Sequence, residues 1–414
     1  MPHACRYLPI RRSTGCTAYM TAAKSVSILL DHFGSGGVER VACHVANGLA
    51  ASGFAVEVVV LRDTGPVKSL LSKAVSVREL GTVPGLGRGA RLLAAVPKLA
   101  RYLRERRPAI FHSPGNHCHL AAGIAVNLAR YEGIFLPKIT NPILKSWMAP
   151  WKRTARIRAY KFIFRHAYRI IVLSRSGISK LGEIHQPFAE KSVFLNNPYV
   201  SNEMMANFID RKSSDVPLIL SVGRLSRQKD YPTLLKALAL LGSRPWRLRI
   251  CGLGPDEQLL RDLCAELGIS QRVEFAGFVE DIVPHYAEAS ATVLSSRWED
   301  LPAALIEAMA CGCPVISTAS SDAVCELLEE VGALDPIPVG DVARLSAAIN
   351  DALQGRIPPV PRNTVAAFCM HSATSSHASF LDGLIRHREQ RQEQAEPGPR
   401  VDAPQAKSIA GRAF

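Results

Sequence analysis

Glu299 and Glu307 stand eight positions apart, separated by Asp300-Leu301-Pro302 and the apolar opening of a helix. Two carboxylates so placed suit a hydroxyl-rich ligand. Glu299, in the loop, would hold sugar hydroxyls, and Glu307, on the helix, would accept from a ribose. Between them the N–H groups of Asp300, Leu301 and Ala303 fall at a helix start, where donors lack intrahelical acceptors and favour an anion. Pro302 suits the first turn and Gly312 the stop. Taken alone, the pattern also fits an ordinary capped helix with surface glutamates. Glu307, however, is flanked by Ile306, Ala308 and Met309, and a buried glutamate without a partner is costly.

Two further constellations carry positive charge or open backbone. In Ser221-Val222-Gly223-Arg224-Leu225-Ser226-Arg227-Gln228-Lys229-Asp230, Arg224 and Lys229 follow an apolar strand. Such a pair can neutralise a diphosphate without a metal, Arg by forked hydrogen bonds and Lys as a point charge. A solvated basic loop is the plainer reading. Gly34-Ser35-Gly36-Gly37 precedes an apolar pattern at helical spacing, Val38, Val41, Val45 and Leu49. Glycines there let a phosphate approach a helix N-terminus. The run is not G-x-G-x-x-G, since Arg40 and Val41 follow, and a tight βα turn without ligand is the alternative.

These loops need strands before them and helices after them, and the hydrophobic pattern supplies both. Ser25–Leu30 and Phe54–Leu61 read as strands around the first helix, a βαβ unit. Ala109–His112, Arg169–Leu173 and Lys191–Leu195 read as further strands and Leu120–Ala129 as a helix. The pattern breaks into polar residues near 202–217 and then restarts. Strands at Leu218–Val222, Arg247–Cys251, Val273–Ala276, Ala291–Leu294 and Pro314–Ser317 alternate with helices at Thr233–Leu241, Asp256–Leu267, Pro302–Cys311 and Val342–Leu353. Strands alternating with helices, twice over, predict an α/β chain of two doubly wound Rossmann-like domains facing across a cleft. Ligands then bind beyond the carboxyl ends of the strands.

The composition agrees. A chain of 414 residues is long for one domain. With 47% hydrophobic and 21% charged residues and a mean hydropathy of +0.07, it is neither a disordered chain nor a fibre nor a disulfide-stapled miniprotein. Stretches such as Ile110–Ala129 are interrupted by His, Asn, Gly and Pro, short of the roughly 20 apolar residues of a membrane helix. The first 24 residues lack the apolar middle of an export signal. They read as a disordered leader, with Met20 a second candidate start. The 10 cysteines are scattered without C-x-x-C, which predicts free thiols in a reducing cytosol, with zinc the lesser reading.

Net charge is +14. Residues 86–107 and 145–170 hold dense basic runs, the second without an acid. Such a field favours an anionic partner: a phosphate-bearing ligand, anionic lipid or nucleic acid. In the second run Trp147, Trp151, Tyr160, Phe162 and Phe164 interleave with the cations, as on a helix docked to an anionic leaflet. A solvated helix over core aromatics is the competing reading. The basic runs match no recognisable nucleic-acid module.

Together the three motifs resemble the retaining glycosyltransferases of family 4, which have the GT-B fold. The resemblance covers roughly residues 25–385. It rests on Glu299 and Glu307 with AMACGCPVI, on SVGRLSRQKDYPTLLKAL, on GGVERVACHVANGLAASGFAVEVVVL, and on VFLNNPYV, which resembles the segment joining the domains. It implies an acceptor domain over 25–200, a linker over 201–217, and a nucleotide-sugar domain over 218–365. A helix over 366–388 would pack back on the first domain; beyond the resemblance, the polar, proline-containing composition of 389–414 reads as a disordered tail. The resemblance further implies that Arg224 and Lys229, with Gly36, Gly37, Leu301 and Ala303, hold the donor diphosphate. Gly277, Phe278, Val279 and Glu307 would hold the nucleoside, and Glu299 the transferred sugar. The acceptor-side histidine best matches His112, with His117 and His119 as competitors. The sequence departs from the family pattern at Asp300-Leu301-Pro302, where a glycine-containing loop is commoner, and at Ser320-Ser321-Asp322.

The implied reaction moves a sugar from a nucleoside diphosphate to a hydroxyl of a lipid-linked or polysaccharide acceptor, with retention, no metal and no cofactor. UDP is the default nucleotide. The expected setting is the cytoplasm, at the inner face of the cell membrane. A nucleotide-sugar epimerase of the same architecture, an inactive binding subunit and a nucleic-acid-binding protein are the rival readings.

Overall fold

The computed structural model describes residues 24–145, 147–206 and 216–395. The expectations for the leader before Lys24, for most of the linker and for the tail beyond 395 lie outside the described residues. The N-terminal half builds β1 (Ser25–Leu30), β2 (Ala55–Val60), β3 (Ser76–Glu79), β4 (Ile110–Ser113) and β5 (Ile134–Pro137). They form one sheet in the order β3-β2-β1-β4-β5, every pair parallel. A parallel sheet is covered by helices on both faces, so its central strands are apolar throughout. All of β1 is buried accordingly. Two strands follow, β6 (Ile170–Val172) and β7 (Ser192–Phe194), paired in parallel. They join the larger sheet at one bridge, Lys138 to Ile171.

The second half repeats the plan. It comprises β8 (Leu218–Val222), β9 (Arg247–Cys251), β10 (Val273–Gly277), β11 (Ala291–Leu294) and β12 (Val315–Ser317), in the order β10-β9-β8-β11-β12. In each half the order reverses beside the first strand, between β1 and β4 and between β8 and β11. A crevice opens at such a switch point.

The periodicity did not reveal two strands. Ser76–Glu79 is a polar edge strand, and Ile134–Pro137 is too short to separate from the apolar residues around it. Pro302 sits at the N-cap of the helix Ala303–Ala310 rather than inside its first turn. The final helix, Met370–Ala395, returns to the first half and runs past residue 388, so 389–395 are helical where a disordered tail was expected. Its Ala378, Leu381, Leu384 and Ile385 share a core with β1, β2 and the helix Gly37–Ala51. A Cβ at Gly48 would fall 2.3 Å from Thr374 Cβ, so glycine permits that approach. Two chain segments cross between the halves and pair, Tyr199 and Val200 both donating to the Phe368 carbonyl.

Part of the basic excess is spent inside the fold. Arg91 grips the fully buried Asp31 with two hydrogen bonds, 2.9 and 2.6 Å. Arg78 and Arg106 flank the buried Glu57 at 3.2 and 3.7 Å. The aromatics of the second basic run also divide. On the helix Pro150–Arg165, Tyr160 and Phe164 are core, while Trp151 is 69% exposed. The reason is helical spacing, which turns Tyr160, Ile163 and Phe164 to one face. Among the described residues no disulfide joins cysteines, no group of three or more His, Cys, Asp or Glu is arranged for a metal, and no helix is long and apolar enough to cross a membrane.

Candidate active site

The loop after β8 and the loop after β11 meet. Gly223 ends β8 with no side chain, and a Cβ there would lie 2.8 Å from Lys229 Cε, so the lysine folds back over the loop. Its Nζ donates to Glu299 Oε1 at 2.8 Å. Ser296 donates to the same oxygen at 2.7 Å, and Gln228 Nε2 lies 3.3 Å from Oε2. Glu299 is 7% exposed, so its charge is held by these donors rather than by water. Arg224 stands exposed on the same loop.

Glu307 is buried on the helix Ala303–Ala310 and accepts from the Tyr286 hydroxyl at 3.1 Å. Burial raises its pKa, while Arg40 and Tyr286 pull the other way. Arg40 belongs to the helix Gly37–Ala51 of the other half, so Glu307 faces across the crevice.

Tyr199, on the connecting segment, ties these parts together. Its hydroxyl donates to the Leu301 carbonyl at 3.1 Å and accepts from Asn197 Nδ2 at 2.7 Å. Burial raises the phenol pKa, and the charges of Asp300, Glu307 and Glu299 all add to the rise. The three carboxyl groups therefore all act on one half-buried phenol. Asn197 in turn accepts from the buried Lys138 Nζ at 3.0 Å.

On the opposite half His112 ends β4, 6% exposed, with Nδ1 2.8 Å from the Leu136 carbonyl. A carbonyl only accepts, so Nδ1 carries the proton and Nε2 keeps its lone pair. Burial, then Lys138, depresses its pKa well below the usual range, which holds the ring neutral.

Residues 36–198 match the family described as glycosyl transferase 4-like domain, and residues 206–365 match glycosyl transferases group 1. The chain belongs to the group 1 glycosyltransferases. Its fold is GT-B, two Rossmann-like α/β domains. It is 39% identical over 108 residues to LpsE of Rhizobium meliloti, a lipopolysaccharide core biosynthesis glycosyltransferase, covering 26% of this chain and 31% of LpsE. It is 23% identical over 310 residues to AmsD of Erwinia amylovora, an amylovoran biosynthesis glycosyltransferase, covering 74% of this chain and 84% of AmsD. The match to the curated relatives of higher identity thus spans about a third of their length. The structure of Anabaena HepE in complex with UDP and glucose superposes with a TM-score of 0.65 at 19% identity, covering 90% of this chain and 99% of HepE.

In this member of the family the residues singled out by sequence fall into three places. Lys229, Glu299, Leu301 and Ala303 gather on the two C-terminal-half loops, with Arg224 exposed beside them and Glu307 within charge reach of Tyr199. Gly277, Phe278 and Val279 lie at the end of β10. A Cβ on Gly277 would touch Leu253 at 3.8 Å, and Phe278 and Leu253 are exposed apolar neighbours there. Gly36 and Gly37 open the first helix across the crevice. A Cβ on Gly36 would meet Glu39 Oε2 at 2.5 Å, whereas Gly37 faces open space.

The three histidines separate. His119 is fully buried against Tyr160 and lies 3.3 Å from the Ser113 carbonyl, a structural role. His117 faces Glu39, Asp31 and Arg88 near Gly115. His112 adjoins Lys138. Sequence reasoning gave no role to Lys138, Asn197, Tyr199, Arg40, Gln228 and Ser296, although Asn197 and Tyr199 lie in VFLNNPYV, Gln228 lies in SVGRLSRQKD, and Lys138 ends the apolar run Ile134–Pro137.

Proposed function

We propose that this chain transfers a sugar from a nucleoside diphosphate to a hydroxyl of a lipid-linked or polysaccharide acceptor, with retention of anomeric configuration and without a metal. The observation that carries the reading is the contact of Lys229 with Glu299 at the meeting of two strand-end loops, with Arg224 exposed on the first of those loops. It joins a diphosphate cation to a carboxylate able to accept sugar hydroxyls. HepE, of the same fold, binds UDP and glucose, and LpsE and AmsD serve lipopolysaccharide and amylovoran synthesis.

In the reaction the bond from the anomeric carbon to the phosphate oxygen breaks and a bond to the acceptor oxygen forms. With attack on the leaving-group face, the hydroxyl proton passes to the departing phosphate oxygen. Arg224, Lys229 and the N–H groups opening the helix Ala303–Ala310 stabilise the negative charge developing there. Glu299 orients the sugar, Glu307 the ribose, and Phe278 lies against the base. His112, neutral with a free Nε2, borders the anomeric carbon from the acceptor half. Lys152, Arg153 and Arg158 around Trp151 rest on an anionic membrane face, as a lipid-linked acceptor requires.

Thermal-shift screening against UDP, GDP and ADP sugars tests the reading. One sugar nucleotide raises the melting temperature, since a ligand that binds only the folded state stabilises it. No shift with any of them refutes the proposal. Conversion of the sugar nucleotide without an acceptor would make the protein an epimerase.

A further inference from the structure

Lys138 is a charged side chain that phosphate binding does not explain. It follows β5 on the acceptor half, at the bridge to β6, and is 2% exposed. A lysine taken out of water needs hydrogen bonds and a counter-charge. The bond is to Asn197. The titratable groups that face it are His112 from β4, His377 from the helix Met370–Ala395, and Asp300 from the other half. Burial holds both histidines neutral, and His377 spends its Nε2 on the Asn196 carbonyl, 3.1 Å away. Asp300 is therefore the anion of the set.

Asp300 occupies the departure from the family loop noted in the sequence, next to Glu299. Its Oδ2 is buried with no hydrogen-bond partner. Burial first, then the charge of Glu299, raises its pKa to about 7, and Lys138 opposes them. A lysine with donors to spare thus faces a carboxylate oxygen with none, one from each half. The chain Lys138–Asn197–Tyr199–Leu301 already runs between the same two elements by bonds of 3.0, 2.7 and 3.1 Å.

We propose that Lys138 is a positioning residue for sugar transfer: through Asn197 and Tyr199 it fixes the Glu299–Pro302 loop to the acceptor half, and on closure of the crevice it pairs with Asp300. The inference rests on the crevice being a sugar-nucleotide transferase site. Arg224, Lys229 and Glu307, assigned to the nucleotide, make no hydrogen bond to Lys138, Asn197 or Tyr199, and the relay ends on the Leu301 carbonyl, which leaves the Leu301 N–H to the diphosphate. Lys138 acts on where the sugar sits relative to the acceptor side, so its loss changes turnover and not nucleotide affinity.

The test uses the full chain and whichever of UDP-glucose, UDP-N-acetylglucosamine, GDP-mannose and ADP-glucose gives the largest thermal shift. Release of nucleoside diphosphate is followed for Lys138→Met, Tyr199→Phe, their double variant and Asp300→Asn. Each single variant lowers kcat about tenfold or more while nucleotide Kd stays within about twofold. The double variant is within about twofold of the slower single, because both break one relay. The acid limb of the kcat profile moves to higher pH in Lys138→Met, where Asp300 loses its cation, and vanishes in Asp300→Asn. Wild-type kcat in Tyr199→Phe, multiplicative losses in the double variant, or an unmoved acid limb overturns the proposal. If Lys138→Met does not fold, Tyr199→Phe and Asp300→Asn decide it by kcat and by the limb. A wild-type chain that binds none of the four nucleotides overturns the transferase reading itself. Binding with unmoved variants overturns only the role of Lys138.

Discussion

Lys229 Nζ lies 2.8 Å from Glu299 Oε1, so the cation assigned to the diphosphate and the carboxylate assigned to the sugar are direct partners. Both side chains are largely shielded, 16% and 9% exposed. The pair preorganises the site: a phosphate entering beside Lys229 finds the lysine already fixed, and the sugar finds Glu299 aimed.

Lys229→Ala therefore has two separable effects. Turnover falls by about 10²–10³-fold, the usual loss for one preorganised donor. Stability falls by about 3 kcal/mol, because Glu299 keeps its burial and loses its cation. In Lys229→Ala/Glu299→Ala the stability returns and the turnover does not. Urea denaturation and nucleotide release measure the two separately. A double variant as unstable as Lys229→Ala sinks the pairing argument.

Glu307 offers a sharper ligand test. Its carboxylate accepts from Tyr286 and faces Arg40, and the proposed third partner is a ribose hydroxyl. Glu307→Gln keeps the shape and removes the charge, and weakens binding of the nucleotide found by thermal shift by about 1.5–3 kcal/mol, the range for a hydrogen bond to a charged group. Calorimetry with deoxyribose analogues of that nucleotide identifies the hydroxyl: the analogue lacking it binds wild type and Glu307→Gln equally. Unequal binding of every analogue removes Glu307 from the ribose.

Much of this site could be read before the fold was known, and the reason is local. Gly223 to Lys229 and Glu299 to Glu307 are short segments whose spacing alone puts cations past a strand end and carboxylates around a helix start. The roles of Tyr199 and Lys138 were not legible, even with Tyr199 inside VFLNNPYV, because their partners are remote. Tyr199 meets Leu301 across 102 positions and Lys138 meets Asn197 across 59. The basic run 86–107 misled for a related reason. Arg91 and Arg106 look like a partner surface until the buried Asp31 and Glu57, on other strands, are seen to need them. The histidine choice needed the fold as well, since only packing separates the core His119 from His112.

Buried histidines set the acid limit of stability. His119 and His377 are depressed to about 3 and His112 falls well below its usual value, burial being the largest cause in each. A depressed histidine is neutral when folded and protonated when unfolded, so the unfolded state binds more protons below about pH 6.5. Stability is therefore present above that pH and lost as pH falls, by about 1.4 kcal/mol per pH unit for each group. Urea midpoints at pH 7, 6 and 5 fall progressively, and His377→Gln removes one group from the slope. An unchanged slope in that variant contradicts the assignment.

Asp300 has the opposite sign. Its folded pKa of about 7 exceeds the ordinary aspartate value of 3.8, so the folded state binds the extra proton between those values. The group stabilises the fold at low pH, and that contribution is lost as pH rises toward 7. Asp300→Asn accordingly gains melting temperature over wild type at pH 8 and gains less at pH 5.5. Equal gains at both pH values mean that Asp300 does not titrate there.

The membrane proposal can be narrowed by what the helix Pro150–Arg165 exposes. Tyr160 and Phe164 are core, so the outer face offers Lys152, Arg153, Arg158, Lys161 and Arg165 with Trp151 as its large exposed aromatic. Adsorption to a bilayer is then chiefly electrostatic, at about 1 kcal/mol per cation near an anionic surface. Sedimentation with phosphatidylglycerol vesicles carries the protein down at low salt, and phosphatidylcholine vesicles leave it in solution. Raising the salt releases it, because screening shortens the reach of surface charges. Reversing three cations, Lys152→Glu/Arg153→Glu/Arg158→Glu, abolishes binding, whereas Trp151→Ala weakens it only in part. Binding that ignores lipid charge or salt leaves the helix as a solvated face over its own core.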